Sequence, residues 1–419
     1  MIFSAEKNFK YLIPLLFIFP FFKENIATVF FILLFINTLF YSFKIKKFVL
    51  TKKMMLFTIP FWIVCVTCLF WYSNYQDLKP VKNSLYFLLF PLVFFNIPKA
   101  YFSKEKLNFY FEILKYVVFI ISISYFLAFF YFYDYEHLFQ YKYEIPKFRD
   151  FIYHEIPFFR IHPTYFTSIL IFTTGFSALK IITEKKWSEI IFVLTFMITS
   201  IVLLAKLNMV FLVLMLVFII IFKFKIAKRY KALAIILLFI GSVGMIKYVP
   251  GVKNRFVEIV NSYNNPPEGM SYDSTNIRMA IFNCSKQIAE DNFITGVGFT
   301  NAKNVILDCF KSNYDSEFYK DKKYLTHNYF MYMLISSGIF GLLFFLYYII
   351  TIIRFTLKIN SFLLYVVVLN VLLVCLIEDF FYRQFGLFYF SLLFYSFLNS
   401  KQDLLFNKEE IFSKRKNLQ

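Results

Sequence analysis

Apolar runs of about 16 to 25 residues, the length that an α-helix needs to cross a bilayer, recur along the whole chain. In the hydrocarbon core of a membrane, only helices and closed β-barrels satisfy all of their backbone hydrogen bonds. The 419 residues are 59% hydrophobic, above the roughly 45–50% that is typical of soluble domains. The pattern therefore predicts an all-α, polytopic membrane protein.

The runs predict about twelve transmembrane helices and one large extracytoplasmic loop that contains a helix of its own. Because Pro14 and Pro20 fall inside the first run, we expect a broken first span. The chain then divides into transmembrane helices 1 to 9 with a shorter outer loop at 134–161 (residues 1–249), the large loop (250–326), transmembrane helices 10 to 12 (327–399) and a basic tail (400–419). The predicted spans are 11–22, 26–43, 54–73, 83–98, 107–133, 162–182, 190–205, 208–222, 232–249, 327–353, 361–377 and 385–399.

Positive charge is concentrated in alternate connections between the runs. The chain contains 45 Lys and Arg against 26 Asp and Glu, a formal net charge of +19. The positive-inside rule places these connections and both termini in the cytoplasm, and the two long loops on the other side. No groove-reading motif accompanies the charge, so we expect membrane lipids and no nucleic acid as its partners. The basic connections contain Lys44, Lys46, Lys47, Lys52, Lys53, Lys99, Lys104, Lys106, Lys223, Lys225, Lys228, Arg229 and Lys231, and the tail Lys414, Arg415 and Lys416.

The large outer loop has features of an ordered, functional segment. At about 75 residues it is far longer than a connection between spans requires, and such loops are usually functional or disordered. Residues 274–276, Ser-Thr-Asn, can cap a helix of about four turns, which we expect to end near Asp291 and to be followed by a turn between Gly296 and Gly298. Apolar residues follow the cap at helical spacing: Ile277, Ala280, Ile281, Cys284 and Ile288.

Two of the five cysteines, Cys284 and Cys309, lie in this loop. A pair of thiols on an oxidising side of the membrane can form a disulfide. The sequence leaves open whether these two do.

His327 and Asn328 stand at the head of an apolar run, with Gly338 and Gly341 further along it. A histidine at the outer edge of the membrane can stay neutral and accept a proton, as a general base must. Alternatively, His327 and Asn328 cap the helix while the small residues allow a neighbouring helix to approach closely. The residues alone leave both interpretations open.

The spacing His-Asn, nine residues, Gly, two residues, Gly resembles the signature of the O-antigen ligase and O-antigen polymerase superfamily. Three other segments are similar to parts of that superfamily. They are STNIR at 274–278 with TGVGF at 295–299, RIHPTY at 160–165, and EDFF at 378–381. The resemblance covers roughly residues 155–400 and does not extend to the first 150 residues.

The resemblance implies glycosyl transfer outside the cytoplasm, from an undecaprenyl-diphosphate-linked glycan to an acceptor. The acceptor is a lipid A core sugar in the ligases, the next lipid-linked repeat unit in the polymerases, and a protein in a few relatives. It also implies a bacterial inner-membrane protein with a periplasmic active site that works without metal or other cofactor, by inversion at the anomeric carbon.

For such a reaction the resemblance implies His327 as the base and Arg278 as a second catalytic residue that holds the leaving diphosphate, to which guanidinium groups bind in forked geometry. Arg160, Lys206 and His162 are further candidates for diphosphate binding. Many relatives carry Ser-Arg where this chain has Ala-Lys at 205–206, and a lysine binds phosphate as a point charge without the fork.

Each of these candidates also has a simpler interpretation. Arg278 and Arg160 can extend to lipid headgroups, Lys206 can mark a short outer turn, and His162 can cap a helix that starts at Pro163. Asn328, Gly338 and Gly341 are expected to hold the helix near the site rather than to react.

Two pairs of carboxylates leave open an alternative mechanism that depends on a metal ion. A D-x-E sequence at the outer face can hold a divalent ion against a lipid diphosphate. It occurs at Asp134 and Glu136 and again at Asp315 and Glu317. Such pairs are also common in polar loops, so we expect no metal.

Other classes of protein compete with the enzyme. A flippase for the same lipid-linked sugars would also need about twelve spans, but transporters typically carry repeats and ionisable groups at the membrane midplane. The candidate residues here cluster at the outer face instead. A membrane scaffold or sensor would need an output domain that the sequence does not reveal.

Overall fold

The computed structural model describes residues 5–22, 24–71, 78–139, 141–142, 145–156, 158–224, 227–248, 252–254, 257, 260–261, 274–314, 319 and 323–401. Over these residues the regular secondary structure is helical, apart from one antiparallel pair of two-residue strands. The predicted all-α membrane fold is confirmed.

The α-helices of this described part are α1 Ala5–Leu16, α2 Glu24–Lys44, α3 Lys52–Phe57, α4 Ile59–Phe70, α5 Lys79–Phe94, α6 Lys104–Phe132, α7 Lys147–Asp150, α8 Pro163–Glu184, α9 Glu189–Val202, α10 Lys206–Phe218, α11 Lys228–Tyr248, α12 Ser274–Asp291, α13 Ala302–Asn313, α14 Tyr329–Ile359, α15 Phe362–Cys375 and α16 Gln384–Ser400. Short 3-10 turns lie at Phe19–Phe21, Lys99–Phe102, Tyr135–Phe139 and Phe380–Tyr382, and π turns at Phe151–Glu155 and Ile219–Lys223. Strands β1 Tyr141–Lys142 and β2 Ile145–Pro146 pair with Tyr141 opposite Pro146.

Each of the twelve predicted spans overlaps a helix, but the helices differ in length. Five helical stretches are long and apolar enough to cross a membrane: Asn25–Lys44, Lys104–Phe132, Pro163–Glu184, Lys206–Lys223 and Tyr329–Ile359. Three shorter apolar helices are Ile59–Phe70, Glu189–Val202 and Phe362–Cys375. A polytopic membrane protein is therefore established, and the number of spans stays a prediction.

Proline positions explain where the first part of the chain breaks. The first span is interrupted as expected, because α1 ends at Leu16 and a 3-10 turn containing Pro20 follows it. The predicted span 54–73 is divided at Thr58 into α3 and α4. Pro60 lies in the first turn of α4, where its missing N–H costs no hydrogen bond and its ring cannot continue a preceding helix.

Helices α8 and α16 form the centre of the bundle. Every residue of α8 from Pro163 to Ala178 is buried, as is every residue of α16 from Phe385 to Asn399. A polar link ties α8 to its neighbours: the Asn208 amide of α10 donates to the Thr164 carbonyl at 2.9 Å, and Asn370 of α15 donates to Asn208 Oδ1 at 2.9 Å. Such interhelical hydrogen bonds fix the register of helices in lipid.

The large outer loop contains the predicted helix and one more. Helix α12 runs from Ser274 to Asp291, as expected from its cap and spacing. The second, α13, was not predicted, although its buried residues Ala302, Ile306, Leu307 and Phe310 have helical spacing. A disulfide joins Cys284 of α12 to Cys309 of α13, which resolves the pairing that the sequence left open.

The segment that follows α12 packs against a kink in α14. Gly338 has φ +67° and ψ −172°, a conformation essentially restricted to glycine. The Val297 N–H donates to the Ile335 carbonyl at 2.7 Å, and the Gly298 N–H to the Ser336 carbonyl at 3.0 Å. The predicted glycine turn is therefore bonded directly to the helix that begins beside His327.

Candidate active site

His327 occupies a turn immediately before α14. Its φ is +47°, an uncommon value for a residue other than glycine. Its backbone N–H donates to Asp379 Oδ2 at 2.9 Å. Asn328 is the helix cap, since its Oδ1 accepts from the N–H groups of Phe330 at 3.0 Å and Met331 at 3.1 Å. The capping role thus belongs to Asn328, and the imidazole is left for other contacts.

Glu378 connects the two segments that carry the predicted catalytic residues. Its Oε1 lies 2.7 Å from Arg278 Nη2, and its Oε2 lies 3.2 Å from His327 Nδ1. Its side chain is only 6% exposed. One carboxylate therefore holds both an arginine of α12 and the histidine that precedes α14.

The protonation of this cluster follows from its contacts. Burial by itself would raise the pKa of Glu378, but the hydrogen bond to His327 and the positive charges of Arg278 and His327 outweigh it and hold the pKa well below its usual range. Glu378 is therefore ionised at neutral pH. In the neutral form of His327, the carboxylate beside Nδ1 favours the tautomer that keeps its proton there, which leaves the lone pair of Nε2 free to accept a proton.

Asp379 holds the backbone of the same turn. Its Oδ1 accepts from Thr326 Oγ1 at 2.6 Å, and its Oδ2 accepts the His327 N–H. Burial raises the pKa of this carboxyl above its usual value. Both acidic residues come from the short connection between α15 and α16, so the last two helices of the bundle position the histidine.

Residues of this cluster line two cavities. The larger, of about 890 Å³, is lined by His327, Glu378 and Asp379 and by side chains from α5, α13 and the start of α16. The smaller, of about 220 Å³, is lined by Arg278 and Lys206. Tyr153 and His162 line both, so the two cavities are neighbours.

Basic groups line the smaller cavity. Lys206, the first residue of α10, donates to Thr275 Oγ1 of α12 at 3.0 Å, and so links the membrane helices to the outer loop. Arg149 donates to the Leu203 carbonyl at 3.0 Å. Together with Arg278 they line a pocket whose charge suits an anion.

His162 caps α8. Of the two roles considered from the sequence, helix capping and diphosphate binding, capping is the simpler. Its Nδ1 accepts from the Thr164 N–H at 3.3 Å. Burial lowers the pKa of His162 to about 3; among the neighbouring charges, that of Glu378 opposes the shift and that of Arg383 adds to it. The ring is thus neutral at pH 7 and contributes no positive charge toward a phosphate.

Arg160 lies apart from the other candidates. It is exposed, and its guanidinium donates to the Ile156 carbonyl four residues earlier, at 3.2 Å from Nη2. It lines neither of the two cavities described above. The structure therefore brings together Arg278, Lys206, His162 and His327 but not Arg160.

Gly338 and Gly341 make different contacts. An added Cβ at Gly338 would lie 2.0 Å from the Ile294 carbonyl oxygen, whereas one at Gly341 would meet the Ser337 side chain and, at 3.3 Å, Ile63 of α4. Gly341 thus permits the helix packing that was expected. Gly338 instead accommodates the backbone of the outer loop.

Several site residues were missed or undervalued from the sequence. Glu378 was noticed only as part of the resemblance, yet an acidic pair between two apolar runs was a visible signal. Arg383, whose Nη1 donates to the Tyr153 hydroxyl at 3.2 Å, follows in the same connection. For Arg149 no sequence pattern distinguished it from the other charges of its loop.

The described part of the chain offers no cluster of ligands that would support the metal-dependent alternative. In that part, no group of three or more His, Cys, Asp and Glu side chains is placed to hold an ion. Asp134 and Glu136 are exposed near the 3-10 turn Tyr135–Phe139. Asp315 and Glu317 lie outside the described residues. The expectation of no metal remains untested.

Comparison with known proteins supports the resemblance. Residues 190–346 match the model of the O-antigen ligase family. The match spans Lys206, Arg278 and His327 and ends before Glu378, and over these residues it confirms the resemblance to the O-antigen ligase and polymerase superfamily predicted from the motifs. No curated protein is significantly similar to the chain.

Proposed function

We propose, from the O-antigen ligase domain at residues 190–346 and the cluster beside it, that the protein transfers a glycan from undecaprenyl diphosphate to a sugar acceptor. It would act as an O-antigen ligase or polymerase in the bacterial inner membrane, with both termini in the cytoplasm and the site on the periplasmic face. The observation that carries the proposal is Glu378, whose buried carboxylate holds both His327, which lines the larger cavity, and Arg278, which lines the smaller one.

In the proposed reaction His327 Nε2 accepts the proton of the acceptor hydroxyl in the larger cavity. The hydroxyl oxygen then forms a bond to the anomeric carbon of the donor glycan, from the face opposite the diphosphate. The bond from that carbon to the diphosphate oxygen breaks, and the oxygen leaves with the electron pair. Arg278 and Lys206 in the smaller cavity stabilise the negative charge that develops on it.

No step of this reaction uses a metal ion, because the arginine and lysine take the role of countering the diphosphate charge. We therefore expect transfer to continue in an excess of chelator. Activity that disappears with chelator and returns with Mg²⁺ or Mn²⁺ would contradict this part of the proposal.

The disulfide supports the proposed sidedness. A bond between Cys284 and Cys309 is stable in the oxidising periplasm and rare in the cytoplasm. The connections rich in lysine lie on the other side by the positive-inside rule. The larger cavity is lined in part by Lys303 and Lys323 of the outer loop, an arrangement that favours an enzyme over a flippase with a path through the membrane.

The test is to delete the gene and to measure the length of the glycan on undecaprenyl diphosphate and on lipopolysaccharide. Long chains left on the carrier with bare lipopolysaccharide would identify a ligase, and single repeat units on both would identify a polymerase. Complementation with His327→Ala or Arg278→Ala, at matched protein abundance, should fail. Normal glycans in the deletion strain would refute the O-antigen function and favour a transporter or a protein O-oligosaccharyltransferase.

A further inference from the structure

The described lining of the larger cavity is strongly basic. It carries five lysine and arginine side chains and two carboxylates. The basic groups come from four separate parts of the fold: the first turn of α5, helix α13, the segment before His327, and the start of α16. They are Lys79, Lys82, Lys303, Lys323 and Arg383.

The two carboxylates are engaged within the site. Glu378 is held by Arg278 and His327, and Asp379 by Thr326 and the His327 backbone. Both carboxylates therefore interact with the turn that carries His327. The other described residues of the lining carry an excess of positive charge.

The contacts recorded for three of the basic groups are with neutral partners. Lys323 Nζ donates to Asn304 Oδ1 at 2.9 Å, Lys303 Nζ lies 5.2 Å from the centre of the Tyr382 ring, and Arg383 donates to the Tyr153 hydroxyl. A neutral partner positions a cation without cancelling its charge, so these groups retain their attraction for an anion in the cavity.

The rest of the lining suits a sugar. Four tyrosines, with Asn83 and Gln384, offer hydroxyl and amide groups together with aromatic faces. The volume of about 890 Å³ lies within the range of about 300–1,000 Å³ that is usual for ligand sites. The tyrosines are Tyr153, Tyr165, Tyr324 and Tyr382.

We infer that the larger cavity binds an acidic glycan, one whose sugars bear carboxylate or phosphate groups. The inference rests on the proposed function in one respect: the glycan in this cavity, beside His327, is the acceptor. The basic groups of its lining would then select an acidic acceptor over a neutral one, while the smaller cavity takes the donor diphosphate.

The test uses the full-length protein in a neutral detergent and measures binding by ligand-observed NMR. The probes are tri-galacturonate, which is acidic, and maltotriose, which is a neutral trisaccharide. We expect tri-galacturonate to bind at least about tenfold more tightly at low salt, and the difference to shrink as salt screens the exposed charges.

Two sets of variants locate the site. Combined Lys82→Gln, Lys303→Gln and Lys323→Gln should weaken tri-galacturonate binding about tenfold, whereas arginine at the same three positions should preserve it. Lys286→Gln is the matched control, because Lys286 is a 65% exposed lysine of the same outer loop that lines neither cavity. Lys82→Gln alone, at an exposed position, serves if the combined variant does not fold.

Each result decides the inference. Equal binding of the two trisaccharides would overturn it, as would tri-galacturonate binding that the lysine variants leave unchanged. If pyrophosphate displaces tri-galacturonate and Lys206→Ala abolishes the binding of both, the anion belongs to the diphosphate site and the inference fails. His327→Ala separates the two proposals, since it should abolish transfer while tri-galacturonate still binds more tightly than maltotriose.

Discussion

Replacement of Gly338 by alanine should undock the outer loop from α14. At φ +67° and ψ −172°, an added Cβ would lie 2.0 Å from the Ile294 carbonyl oxygen and 2.9 Å from the Thr295 nitrogen. The three nearest atoms are backbone atoms, so no side-chain rotation relieves the contact with them. Either the kink or the loop must move.

The expected loss of stability has two parts. The backbone conformation costs a residue other than glycine about 1–3 kcal/mol. Movement of the loop also breaks three hydrogen bonds, from Val297 to Ile335, from Gly298 to Ser336 and from Ile339 to Phe293, each worth about 0.5–1.5 kcal/mol. The sum is about 3–7 kcal/mol. At about 2 °C per kcal/mol for a long chain, the melting temperature should fall by roughly 5–15 °C.

The assay is thermal unfolding of the purified full-length protein, followed by intrinsic fluorescence. Gly244→Ala is the control, because Gly244 lies in α11 and an added Cβ there meets no atom within 4 Å. That substitution should be neutral or stabilise the helix by at most about 1 kcal/mol. A Gly338→Ala protein that melts within about 2 °C of the Gly244→Ala protein would refute the docking argument.

Three further predictions concern buried charges. Lys115→Met should destabilise the fold by about 3–5 kcal/mol, because Lys115 and Glu189 form a buried pair at 2.8 Å and the carboxylate would be left without this partner. Addition of Glu189→Met should restore most of the melting temperature, and no recovery would contradict the pairing argument. Glu378→Gln should reduce glycan transfer by roughly 10²–10⁴-fold at matched abundance, since it removes the ionised partner that orients His327. Because folding lowers the Glu378 pKa below the ordinary 4.5, its contribution to stability is present above that pH and is lost on acidification. Below about pH 4.5, melting of the parent protein should therefore depend more steeply on pH than melting of the Glu378→Gln variant does, and equal dependence would contradict the linkage.

The sequence by itself was sufficient for the fold class and for most of the local elements. Apolar runs and helical spacing are properties of neighbouring residues, so they predicted the membrane helices, the loop helix that begins at Ser274 and the glycine turn after it. The motif around His327 led to the superfamily, because its residues lie within one short segment. The second loop helix was missed although its buried residues follow the same spacing.

Only the tertiary structure decided how the site is assembled. Glu378 meets His327 across 51 residues and Arg278 across 100 residues, and no local pattern encodes a contact at that separation. No local pattern encodes the contact of the outer loop with the kink at Gly338. None encodes the position of Arg160 outside both cavities either. Packing of distant helices sets these distances, because each helix takes its position from the faces that it buries and not from its own sequence alone.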